Sequence, residues 1–138
     1  MKNFALILLC AFFLGGCAPS AKYAVMDTDD ESQVKIRQMQ TRYFDTTDKK
    51  KAMESAIATL QDLGFIIDKA SFDLGSVSAT KLKGYMLRMT VTVTPRGQQM
   101  VVRTNARYGV TPVMEPEPYQ QFFDALSKSM FLQAHLDE

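Results

Sequence analysis

Between Tyr85 and Tyr108 the chain reads as two alternating runs joined by Pro95-Arg96-Gly97, and this restricts the fold more than any other stretch. Leu87, Met89, Val91 and Val93 alternate with Arg88, Thr90, Thr92 and Thr94. Residues two apart share a face of a strand, so one face is apolar and the other polar. After the turn, Gln99 to Tyr108 forms the partner strand. Centring the hairpin between Arg96 and Gly97 sets Val93 opposite Met100, Val91 opposite Val102, Met89 opposite Thr104 and Leu87 opposite Ala106. A one-residue slip would set Met89 against Arg103 and mix the faces. A hairpin with one wet face belongs to an antiparallel sheet, and its apolar face needs a cover.

Two amphipathic helices supply it. Thr46-Thr47-Asp48 offers N-cap oxygens. Met53, Ala56, Ile57, Leu60 and Leu63 then recur at helical spacing, and Gly64 stands where a C′ glycine ends a helix. Near the C-terminus, Glu115 and Glu117 precede the stripe Tyr119, Phe122, Phe123, Leu126 and Met130. Acidic groups favour the positive end of the helix dipole there. Phe131 and Leu132 lie off the stripe, so Phe131 is a candidate partner contact.

Further strands are expected over Gln40–Asp45, from Phe65 toward a break at Asp73–Gly75, and over Val77–Leu82, with a turn at Gly84. Thr111 to Pro118, holding Pro112, Pro116 and Pro118, reads as a loop. The predicted order is β-α-β-β-β-β-α over residues 40–138, an α+β domain with both helices on one face of an antiparallel sheet.

The N-terminus carries a different message. Lys2 is followed by an apolar run from Phe4 to Leu14. A membrane-spanning helix needs about 20 apolar residues, so residues 1–16 read as a secretory signal. Leu14-Gly15-Gly16-Cys17 resembles the lipobox of bacterial lipoproteins at all four positions. The resemblance implies cleavage before Cys17, a diacylglycerol on its thiol and a palmitate-type acyl group on the new amino terminus. A lipid anchor of several chains holds durably, since each buried methylene contributes about 0.8 kcal/mol. Ala18 in place of Asp after the cysteine points by the same resemblance to the outer membrane, with the domain facing the periplasm.

Residues 17–39 include Asp27, Asp29, Asp30 and Glu31 and few large apolar side chains. They read as a lipidated N-terminus and flexible tether. A tether of about 20 residues reaches roughly 70 Å at full extension and averages about 25 Å. The element order also resembles the helix-grip domains of BamC, a lipoprotein of the outer-membrane barrel-assembly machine. Leu60-Gln61-Asp62-Leu63-Gly64-Phe65 and Tyr119-Gln120-Gln121-Phe122-Phe123 are similar to segments of small proteobacterial lipoproteins without assigned function.

Cleavage takes Lys2 and leaves 15 basic residues against 15 acidic in 122 residues. That balance argues against a general nucleic-acid binder. Cys10 leaves with the signal and Cys17 is lipidated, so disulfides, thiol catalysis and cysteine metal sites are excluded.

His135, near the end of the chain, is the one histidine, a poor place for a base or metal ligand. No nucleophile elbow, phosphate loop or zinc motif is present. Asp68, Asp73 and Glu54 are the acids left for a carboxylate pair, and nothing in their spacing demands one. No enzyme, cofactor or metal is expected. Arg88, Arg103 and Arg107 share the polar hairpin face and form a candidate anion or partner face, since guanidinium forks suit carboxylates and phosphates.

The expected role is therefore a non-catalytic accessory or scaffold subunit of an envelope protein complex, with no nucleic-acid partner. The alternative is a lipid- or glycan-binding module using the arginine face or a helix–sheet groove.

Overall fold

The computed structural model describes residues 32–82 and 84–136, the side chains as far as residue 132. In chain order the elements are α1 (32–39), β1 (Thr41–Phe44), α2 (Lys49–Asp62), β2 (Ile66–Ser71), β3 (Ser76–Lys81), β4 (Leu87–Arg96), β5 (Gln99–Tyr108), β6 (Thr111–Pro112) and α3 (Glu117–Leu136). The fold is α+β, as the patterning requires. One antiparallel sheet runs in the order β1-β5-β4-β3-β2, with β6 also on β5.

Two elements were not foreseen. Residues 32–39, expected to be tether, are helical, and the compact unit begins at Val34 rather than residue 40. Ile36 and Met39 are half-buried, Met39 against the core. The packing of Met39 on the core ties down a segment whose composition alone is too polar to order it. Likewise Thr111 and Pro112, expected in a loop, form β6 opposite Tyr108 and Arg107.

Helix α2 starts and stops as its sequence dictates. The Asp48 carboxylate accepts from the Lys51 N–H at 3.0 Å. At the other end Gly64 N–H donates to the Gln61 carbonyl and Phe65 N–H to that of Leu60, both at 2.9 Å. This is the Schellman arrangement, and the buried pair Leu60 and Phe65 supplies its apolar contact.

The hairpin register corrects the expected one. Val93 faces Val102, Val91 faces Thr104, Met89 faces Ala106 and Leu87 faces Tyr108. The slip is two residues, so the faces stand and only the partners change. Its cause is the turn: Gly97 and Gln98 form a two-residue loop with Arg96 opposite Gln99. Gly97 takes φ +63° and Gln98 keeps a negative φ, the pattern of a type II′ turn, whose twist matches the strands. Pro95 does no harm in this long strand. Val93 N–H is the last on that edge to bond, reaching the Gly75 carbonyl at 2.7 Å, so proline's missing donor lies beyond the end of β3.

The core lies between the sheet and α2 and α3. Met53 and Leu60 from α2 and Tyr119, Phe122 and Leu126 from α3 meet Val77, Met89, Val91, Met100 and Val102, all almost wholly buried. Every member of this core lies between Met39 and Met130. Thr104 sits in it, and among the described residues its hydroxyl has no hydrogen-bond partner. Thr104→Val keeps the shape and removes a buried unpaired polar atom. A gain of about 1 kcal/mol is expected, measured as a higher denaturant midpoint at unchanged slope.

Candidate functional site

The outer face of the sheet, opposite the helices, carries the predicted arginines. Arg88 stands directly opposite Arg107, and Thr92 opposite Arg103. All three arginines are exposed. Centring the hairpin between Arg96 and Gly97 would pair Arg88 with Asn105, Thr90 with Arg103 and Met86 with Arg107. The two-residue shift instead brings two guanidinium groups together, and Asn105 faces Thr90.

Two further cations belong to this face and were missed from sequence. Arg96 reaches it from the end of β4 and donates to the Tyr43 hydroxyl at 3.4 Å. Lys69 stands opposite Ser78 on β2. A bulge between Ile67 and Lys69 changes the register of β2, which no periodic reading could anticipate. Asp68, an acid on this side, accepts from the Thr80 hydroxyl at 2.6 Å. Arg88, Arg96, Arg103, Arg107 and Lys69 thus share the outer face with Asp68 and, at its edge, Asp45, which accepts from Gln99 at 2.6 Å, so cations are in excess there. Between Arg96 and Arg103 lies a shallow depression of ≈ 340 Å³, also lined by Thr92, Thr94 and Val101. Two guanidinium groups and two hydroxyls can donate into it, a set suited to a phosphate or carboxylate.

Phe131 lies on the other side of the molecule, in the last turns of α3, 61% exposed with Leu132 beside it. It borders an open cleft of ≈ 540 Å³ lined also by Tyr43, Phe44, Asp48, Lys51 and Met130. The cleft forms because β1 turns at Asp45 into α2 while α3 passes behind. The cleft and the arginine face adjoin at Tyr43, which lines the first and accepts from Arg96 of the second.

A third surface was not foreseen at all. At the end of the sheet where β3 joins β4 and β5 joins β6, Leu82, Tyr85, Met86, Tyr108, Val110 and Met114 are exposed. The Tyr85 and Tyr108 rings meet edge to face, centroids 6.3 Å apart. They border a groove of ≈ 350 Å³ between sheet and helices, also lined by Phe65, Lys81 and Glu117. The available sign was Val110 beside Gly109, an apolar residue where turns favour small polar ones.

Cys17 lies outside the described residues, as does the side chain of His135. The acids Asp68, Asp73 and Glu54 do not converge. Asp68 is on the outer face, Asp73 is in the β2–β3 turn, and Glu54 pairs with Lys50 on α2 at 3.8 Å. Among the described residues no three His, Cys, Asp or Glu side chains are grouped to hold a metal. No described helix is long and apolar enough to cross a membrane. No model of a known protein family matches the chain, and no curated protein sequence matches it.

Proposed function

We propose that the chain is a lipoprotein held to the outer membrane through acyl groups on Cys17, with its α+β domain in the periplasm. There it acts as a non-catalytic accessory or scaffold subunit of an envelope complex. The anchor rests on the Leu14-Gly15-Gly16-Cys17 resemblance. The observation that carries the scaffold role is Phe131: an aromatic ring 61% exposed at the mouth of an open cleft. An aromatic side chain kept mostly exposed is the kind that anchors protein interfaces.

A photocrosslinking side chain at position 131 tests this in cells, with Cys17→Ala as the unanchored control. One defined envelope protein is expected in the outer-membrane fraction, lost in the control. Phe131→Ala should weaken its binding by about 2 kcal/mol, or thirtyfold, the size of an interface anchor. Binding unchanged by Phe131→Ala overturns the role given to this surface. The depression between Arg96 and Arg103 favours the second reading, a module binding an anionic lipid or glycan.

A further inference from the structure

We propose that the β3–β4 and β5–β6 end of the domain is itself a membrane-contacting surface. Its apolar loop tips enter the interface of an anionic phospholipid bilayer, and Arg88 with Arg107 hold lipid phosphates behind them. This is a second membrane contact, separate from the acyl groups on Cys17.

Three observations lead there. First, the exposed apolar residues stand on loop tips. Tyr85 follows the Gly84 turn and is 84% exposed, and Val110 occupies the tip of the β5–β6 turn at 91%. A two-residue turn between Tyr108 and Thr111 has no local need for a β-branched side chain. Neither residue packs well enough to contribute much to the fold.

Second, the residues are of the interfacial kind. Tyrosines with an apolar ring and polar tip concentrate at membrane–water boundaries, and Tyr85 on its loop forms such a pair with Tyr108 at the end of β5.

Third, the strand row next to this end opposes Arg88 to Arg107. Like charges directly opposite across strands are destabilising. Among the described residues neither guanidinium has a carboxylate or other hydrogen-bond partner. A phosphate between them would turn that repulsion into charge-assisted bonds. Glu115 and Glu117 precede or open α3 on the helical side of the same end. The domain must therefore tilt its outer sheet face, not its helices, toward the lipid. An acidic protein would meet the arginines equally well but leaves the loop-tip residues unexplained, and lipid accounts for both.

The test uses residues 18–138, which keep the entire core and lack both signal and acyl groups. The probes are vesicles of phosphatidylcholine alone and of phosphatidylcholine with phosphatidylglycerol, read by cosedimentation. Binding to the anionic vesicles only, weakened by salt, is expected. Arg88→Gln with Arg107→Gln should lower partitioning about 25-fold, since each arginine near an anionic surface contributes about fivefold. Tyr85→Ser with Val110→Ser should lower it about tenfold or more through lost apolar burial. Lys128→Gln, exposed on α3, should change nothing, and circular dichroism verifies that each variant is folded.

Equal binding to both vesicle types, or no binding by the folded chain, overturns the proposal. So does binding indifferent to both double substitutions. None of these results bears on acylation of Cys17, which is read separately by the mass of the mature protein.

Discussion

Gly75→Ala should cost about 3 kcal/mol, although it adds only one methyl group, at the buried end of the β2–β3 turn. Gly75 has φ +65°, a region where a Cβ costs roughly 1–2 kcal/mol. The added carbon would also lie 2.3 Å from the Val93 carbonyl oxygen and 2.9 Å from Cε of Lys49. The lysine can swing away. The carbonyl belongs to the central strand and cannot, so the turn must move and strain the 2.7 Å bond from Val93 N–H to the Gly75 carbonyl. Losing that bond adds about 1 kcal/mol. Gly97→Ala is the control. It shares a positive φ, but its added carbon meets nothing within 4 Å, so about 1–2 kcal/mol is expected. Denaturant titration of both variants measures the difference. Equal losses would mean that close approach of the two backbones contributes nothing.

Tyr119→Ala should have the largest effect, about 5 kcal/mol, against a total near 5–15 kcal/mol for a domain. The reason lies in the edge of β5. Strands β1 and β6 lie end to end along that edge, β1 opposite residues from Met100 to Arg103 and β6 opposite Arg107 and Tyr108. In the gap, Thr104 N–H reaches the Gln40 carbonyl and the Ala106 carbonyl accepts from Val113. Ala106 N–H is left over. It donates to the Tyr119 hydroxyl at 3.4 Å, and that hydroxyl donates to the Val113 carbonyl at 2.7 Å. Gln40 Nε2 donates to it as well, at 3.3 Å.

The fully buried ring fills the core, and its hydroxyl closes the sheet edge. Tyr119→Phe separates the two roles. It should cost about 2 kcal/mol, the consequence of leaving a buried N–H and carbonyl unpaired. Hydrogen exchange at Ala106 should accelerate in Tyr119→Phe more than at Val102. No change there would show that the hydroxyl is dispensable.

Much of this domain was legible without coordinates, because alternation and helical spacing are local consequences of burying one face. Those periodicities determined the α+β class, both long helices, the hairpin and most of the core, though not Val113, which lies in the stretch read as a loop. The Asp48 cap and Gly64 stop were equally readable, since a capping side chain or C′ glycine acts within a few residues of itself. The polar face bearing Arg88, Arg103 and Arg107 also followed from alternation, and parity survives a two-residue slip.

What only the tertiary structure decided was pairing across distance. The type II′ loop at Gly97-Gln98 set the register and thereby opposed Arg88 to Arg107. The bulge at β2 brought Lys69 to the outer face. Contacts to the core ordered α1, and the free edge of β5 recruited Thr111 and Pro112. The gathering of Tyr85, Tyr108 and Val110 at one end had no local signature, since it depends on which loops the strand order brings side by side. Periodicity says which way a side chain faces; topology says what stands beside it.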